Sequence, residues 1–197
     1  MNDPILTSFY CHHDEEDNDG GQYGPAVRKR LEAAGIKYKS LRIGCYGVCC
    51  LNLSGTRITD LSPLKELPLT HLCLQGCFEI ADFSPLKYMN LTWLNLCRTN
   101  VADLSPLRSL PLSHLRLYRT RTTDLSPLKD AQLTSLDIRF THITDLSPLT
   151  RMPLAELSFF PKRITKGMPF LREMKPLKYI NRRPAKEFWK RHNKRSD

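Results

Sequence analysis

Cysteine and histidine are the residues of this chain best equipped for chemistry. Cys45, Cys49, Cys50, Cys73, Cys77 and Cys97 cluster in the N-terminal half, with His71 among them. Thiolates and an imidazole brought together could hold zinc. Yet no C-x2-C pair meets a partner pair, and a free cysteine packs readily as a small apolar side chain. Packing is the weightier reading. The run "CHHDEED" at 11–17 could hold a metal loosely, but it reads better as a solvated acidic segment. Five aspartates, Asp60, Asp82, Asp103, Asp124 and Asp145, recur at one place in a repeated peptide and suggest a calcium ladder. Further acidic or carbonyl ligands at calcium-loop spacing are missing, so each carboxylate is expected to accept backbone N–H bonds at its own bend. No Ser/His/Asp or Cys/His arrangement has local support. The chemistry-bearing residues thus point to no catalytic residue, no cofactor, no metal and no enzyme.

What positions these residues is a repeat. "ITDLSPLK" at 58–65 returns as "ADFSPLK" at 81–87, "ADLSPLR" at 102–108, "TDLSPLK" at 123–129 and "TDLSPLT" at 144–150. Pro63, Pro85, Pro106, Pro127 and Pro148 are 22, 21, 21 and 21 residues apart. A fixed period of this length marks a solenoid, in which each unit covers the next. The rest of each unit repeats as L-x-x-L-x-L-x-x-T-x-I, from "VCCLNLSGTRI" at 48–58 to "LAELSFFPKRI" at 154–164. Leu51 and Leu53 alternate with Asn52 and Ser54, the period-2 pattern of a half-buried strand. Pro suits the first position of a short helical turn, and the Ser before it reads as the cap. Thr56, Thr99, Thr120 and Thr141, with Cys77 in the same slot, are expected to bond backbone between coils.

This frame resembles a leucine-rich repeat, in the short form of internalin-like bacterial proteins, over residues 48–164. The resemblance implies an α/β solenoid with a curved parallel β-sheet, a convex side of short 3-10 turns, and helical end caps. It also implies a non-enzymatic module that meets a protein on its concave face. The end, "RITKGMPFLREMKPLKYI…PAKEFWKRH", resembles repeat regions linked to bacterial serine/threonine kinases, although no kinase signature is present. The chain could therefore be a detached relative of such a region.

Charge divides the chain. Residues 1–24 hold six acidic residues and no Lys or Arg, whereas residues 162–197 hold thirteen basic and three acidic ones, a net of +10. The expected organisation is an acidic, disordered N-terminus over 1–24, an N-terminal cap of helix plus strand over 25–47, and repeats over 48–164. A C-terminal cap over 165–181 and a basic tail over 182–197, whose sequence is compatible with a helix, complete it. In the C-terminal cap, Phe170, Leu171 and Met174 are expected to face the last repeat, and deletion of 184–197 is expected to leave stability unchanged. No apolar run could span a membrane, and the first residues lack a signal peptide's basic start, so the expected location is cytoplasmic. Seven cysteines, an odd number, do not suggest a disulfide framework.

The variable strand positions carry the functional reading. Side chains alternate along a strand, so residues between the frame leucines face the concave side. The first two repeats are small and polar there. The middle and later ones bring Trp93, Arg98, Arg116, Tyr118, Arg119, Arg139, Phe140 and Phe160 together. Trp, Tyr and Arg are the types enriched at binding hot spots. A solvated face with ordinary aromatics explains them less well, because Arg at 116, 119 and 139 would repel unless partner anions offset it. The expected partner is a protein with an acidic patch. The alternative is nucleic acid, met by the basic tail and the Arg/aromatic face.

Overall fold

The structure, a computed structural model, describes residues 23–44 and 49–193. The run "CHHDEED" at 11–17 and Cys45 lie outside the described residues. Among the described residues, nine strands form one sheet in chain order. β1 (Ser40–Ile43) lies antiparallel to β2 (Cys49–Asn52). From β2 onward the sheet runs parallel through β3 (His71–Cys73), β4 (Trp93–Asn95), β5 (His114–Arg116), β6 (Ser135–Asp137), β7 (Glu156–Ser158) and β8 (Tyr179–Ile180). β9 (Arg183–Pro184) turns back antiparallel to β8.

The frame sets the register. Leu51, Leu72, Leu94, Leu115, Leu136, Leu157 and Ile180 pair in a single row, and each is at most 1% exposed. Burying such a side chain is worth about 1.5–3 kcal/mol. A lone coil cannot cover its leucines on both edges, so the row is stabilised only by stacking. The result is a curved leucine-rich repeat solenoid with one continuous apolar core.

The repeated D-L-S-P-L builds the other side. Its 3-10 turns run over Ser62–Leu64, Ser84–Tyr88, Ser105–Leu107, Ser126–Leu128 and Ser147–Leu149. Ser is not the cap that sequence suggests. It is the first residue of the turn, and its own N–H is the donor that needs a partner. Oδ1 of Asp60, Asp82, Asp103, Asp124 and Asp145 accepts that N–H at 2.7–2.8 Å. These bonds, together with the hydroxyl of the same Ser, hold the carboxyls of Asp60, Asp82 and Asp103 below the ordinary value; at Asp145 the Ser147 hydroxyl is the larger cause and the backbone bond the second. The aspartate row is thus a row of turn anchors.

The link between coils also differs from expectation. Oγ1 of Thr56, Thr99, Thr120 and Thr141 donates to the carbonyl three residues earlier in the same coil, at 2.7–2.9 Å. Of this slot, Cys77 reaches across, donating to Leu53 O at 2.9 Å. The coil-to-coil ladder runs instead through Thr92, Ser113 and Thr134, whose hydroxyls donate to the backbone carbonyls of Thr70, Thr92 and Ser113.

Both ends are closed. α1 (Tyr23–Ala33) starts ahead of Pro25 and buries Val27 and Leu31 against the first coil. At the far end α2 (Met168–Glu173) buries Leu171, with Phe170 and Met174 packed against the core. Gly167 enters α2 at φ 94°, where an added Cβ would stand 2.9 Å from Leu146. Asn181 and Arg182, at φ 51° and 64°, make the tight turn into β9. Residues 185–193, which sequence places in a basic tail, form α3 (Ala185–Asn193). Its Phe188 ring lies 6.0 Å from Phe159, a core residue 1% exposed. High charge density hid this apolar edge. Among the described residues, no helix is long and apolar enough to cross a membrane.

Candidate functional site

The pleat sends the residues flanking each frame leucine to the concave face, and that face has two halves. Across β2–β4 it is closed. Cys50, Cys73, Trp93, Asn95 and Cys97 are each at most 7% exposed. Trp93 was expected on the surface with the other seven site residues, but it is 3% exposed. Its ring stacks on His71 at 6.3 Å and 18°, and the Arg116 guanidinium lies 5.9 Å from its centroid. A large ring flanked by long neighbours is covered even outside the leucine core.

Burial also shapes the chemistry of three of the cysteines. It pushes the Cys49 thiol up to about 11 and the Cys97 thiol up to about 12, and it raises Cys73 as well. Metals and electrophiles take the thiolate, which this environment disfavours. Register places Cys50 beside His71 and Cys73 beside Asn52 and Asn95. Among the described residues, no three His, Cys, Asp or Glu side chains stand together as metal ligands would.

Across β5–β7 the face is open. Tyr118, Phe140 and Phe160 stand one coil apart and form a stepped row, with centroids 5.2 Å and 5.7 Å apart. Phe140 is 50% and Phe160 44% exposed. The Arg119 guanidinium lies 5.4 Å from both the Tyr118 and Phe140 rings, and that of Arg139 lies 5.5 Å from Tyr118. Arg139 is not the uncompensated charge that spacing suggests. Its Nε and Nη2 donate to Asp137 at 2.9 and 2.5 Å, a bidentate pair within one coil. Arg116 and Arg119 rest on aromatic faces instead, where the ring quadrupole offsets part of their charge.

Backbone geometry singles out three of these residues. The last residue of each bend before the threonine slot is left-handed: Gly55 at 68°, Gly76 at 72°, Arg98 at 56°, Arg119 at 56° and Phe140 at 57°. Glycine is at ease there, whereas a residue with a Cβ loses about 1–2 kcal/mol. Two coils use glycine, and three hold an exposed Arg or Phe at that cost.

Other variable positions are structural. Oδ1 of Asn52, Asn95 and Asp137 accepts the N–H two residues on, closing the bend after the strand. His71 and His114 are half-buried, and their Nδ1 atoms meet the hydroxyls of Thr70 and Ser113 at 3.0 and 2.8 Å. Burial holds both imidazoles below the ordinary value. Sequence reading missed this His–hydroxyl pairing; its signal was the recurrence of Thr-His and Ser-His at positions 70–71 and 113–114.

One comparison with a solved structure agrees with this fold. No protein-family model matches the chain, and no curated protein does. The crystal structure of an internalin C2 from Listeria monocytogenes is similar, with a TM-score of 0.52, 27% identity, and 66% of this chain and 68% of that chain covered. The crystal structure of an internalin, inlF, from the same organism has a TM-score of 0.48 and 21% identity, over 63% of this chain and 44% of that one. By fold, the chain is an internalin-like leucine-rich repeat solenoid.

Proposed function

We propose that the chain is a non-enzymatic interaction module, and that strands β5–β7 of its concave face bind an acidic patch on a protein partner. One observation carries the reading. Arg98, Arg119 and Phe140 keep a strained left-handed backbone where earlier coils use glycine. Strain of this kind persists where the side chain is needed, and here the side chains are exposed cations and aromatics. The row Tyr118–Phe140–Phe160 offers apolar area, and Arg119 between two rings offers donors to a carboxylate. A cytoplasmic setting suits the buried thiols of Cys49, Cys73, Cys77 and Cys97.

The test is a pull-down from native lysate followed by calorimetry on the protein recovered. Arg116→Glu with Arg119→Glu should abolish binding; Arg119→Glu alone, at an exposed site, should weaken it with stability changed by no more than about 1 kcal/mol, which separates lost contacts from any uncovering of Trp93 by the Arg116 change. Lys129→Glu on the convex side should change neither. Full affinity in the double variant would remove the concave face from the account.

A second reading has an observation of its own. At the C-terminal cap the Arg172 guanidinium lies 5.3 Å from the Trp189 ring, with Lys186 and Lys190 bordering the same surface. Cations around an indole suit a nucleic-acid strand. Binding that weakens steeply with salt and survives Arg116→Glu/Arg119→Glu would favour it.

A further inference from the structure

The open half of the concave face is a trough that runs across the strands. Tyr118, Phe140 and Phe160 wall it on one side, one ring per coil, with centroids 5.2 Å and 5.7 Å apart. Beside them the floor is low, because Ser135, Asp137 and Ser158 on β6 and β7 are short side chains. Asp137 is held down further by its pair with Arg139. Strands β5, β6 and β7 have three residues each, so the floor is about 10 Å wide. Charge is graded along the trough. Arg98 and Arg119 are exposed and Arg116 is half-buried toward its β4–β5 end, whereas Glu156 stands on β7.

We propose that the trough takes an amphipathic α-helix of the protein partner, laid across the strands. Its apolar side chains at i, i+3 or i+4, and i+7 meet the three rings, and its carboxylates lie about one turn further on, over Arg98 and Arg119. The inference rests on the concave-face reading above and names the partner's element. Spacing favours a helix over a strand. Successive coils stand about 4.8 Å apart, so the rings sit at about 0, 5 and 10 Å along the trough. A helix rises about 1.5 Å per residue, which puts i, i+3 or i+4, and i+7 at about 0, 4.5–6 and 10.5 Å. An extended strand brings one face back every two residues, about 6.7 Å, and its third side chain overshoots the third ring by about 4 Å. The helix diameter, about 10–12 Å with side chains, also matches the floor.

Charge complementarity sets which part of the helix is acidic. The Arg119 guanidinium lies 5.4 Å from both the Tyr118 and Phe140 rings. A carboxylate placed beside it therefore meets donors whose position the rings hold. At the other end Glu156 repels a carboxylate, so acidic residues belong at one end of the helix only. The chain's net charge of +10 draws such a helix in from a distance. Its apolar stripe then covers Phe140 and Phe160, two of the most exposed large apolar side chains described.

The experiment presents the full chain with a displayed library of peptides about 18 residues long, five helical turns, randomised at every position. The readout is the set of sequences enriched on the wild type and lost on Arg119→Glu. They should carry apolar residues at i, i+3 or i+4, and i+7, with Asp or Glu toward one end, and the synthesised peptides should gain helical circular dichroism on binding. Phe140→Ala should weaken them at least about tenfold, as for a hot-spot residue. A proline placed mid-peptide should abolish binding, and Lys129→Glu on the convex side should leave it unchanged. Arg119-dependent binders with apolar residues at i, i+2 and i+4, or without a helical signal when bound, overturn the helix and leave the concave-face reading standing. Tight, Arg119-dependent binding of an oligothymidylate with no helical peptide recovered assigns the trough to nucleic acid and overturns both. Recovery of no Arg119-dependent binder of any kind also overturns the inference, and the concave-face reading is then judged by the lysate pull-down alone.

Discussion

Arg119 holds, at φ 56°, the backbone position that Gly76 holds at 72° two coils earlier. The same bend is therefore made once by a residue that costs nothing there and once by a residue that does. Arg119→Gly relieves about 1–2 kcal/mol of left-handed strain but loosens the unfolded chain by about 0.4–1 kcal/mol. Arg119→Ala removes the guanidinium and keeps the strain. The glycine variant should thus be more stable than the alanine variant by about 1 kcal/mol, in urea melts of both. The same order should hold at Arg98. At Arg116, inside β5, the order should reverse, because glycine weakens a strand. Alanine more stable than glycine at 119 would show that the slot carries no strain, and the main support for the binding reading would go with it.

Phe188 and Phe159 make a second prediction. Phe159 is a core residue, and half-buried Phe188 covers it from α3. Phe188→Ala should lower stability by about 2 kcal/mol, below the range of about 3–5 kcal/mol for a fully buried Phe because half its surface is exposed. Deleting 184–197 should cost at least as much, contrary to what a loose tail would do. Thermal melts of both variants check this. An unchanged melting temperature on deletion would restore the tail reading.

These two cases show what the sequence made legible. The solenoid was plain because the leucine row and the prolines recur at constant spacing, and periodicity is the strongest local signal. Parallel pairing of Leu72 with Leu94 followed from it. A helix in the tail was within the sequence reading, but its packing on the core was not legible, since Phe188 and Trp189 stand among Lys186, Lys190 and Arg191 and occur once, without a repeat to mark them. Trp93 was placed on the correct face yet misjudged in exposure. Alternation gives a side chain's direction, while its cover comes from His71 and Arg116 on neighbouring coils. The left-handed slot was invisible for a related reason: Gly55 and Gly76 hint at it, but Arg98, Arg119 and Phe140 break the hint.

The histidines predict a pH dependence. His71 is held below the ordinary value of 6.5 by burial, and then by the charge His114 would carry. His114 is held down by burial and Arg116, while Glu156 pulls the other way. The folded chain therefore takes up these protons less readily than the unfolded chain, whose histidines titrate near 6.5. Their contribution to stability is complete above that pH and declines as pH falls through it. The urea midpoint should drop between about pH 7.5 and about pH 5.5, and His71→Gln/His114→Gln should flatten the drop. A midpoint that rises on acidification would reverse the sign and refute the account. The aspartate anchors act later: their lowered values place their loss below the ordinary carboxyl value of 3.8.

The cysteines predict a reactivity pattern. Burial pushes Cys49 up to about 11 and Cys97 up to about 12, so at pH 8 almost none of either thiol is ionised. The alkylating species is the thiolate, and both sulfurs are also sterically covered. Cys73 is raised for the same reason, with Asn95 and His71 beside it on the sheet. In native protein at pH 8, iodoacetamide should therefore leave Cys49, Cys73 and Cys97 unmodified over hours, as read by mass spectrometry of tryptic peptides. In urea above the unfolding midpoint all three should label together. Their protection factor should also follow the midpoint as pH is lowered, because opening the β2–β4 face requires uncovering Trp93 and the histidine stacked on it. Fast native labelling of Cys97 would mean that this half of the concave face is open, and that the surface available to a partner begins at β3 and not at β5.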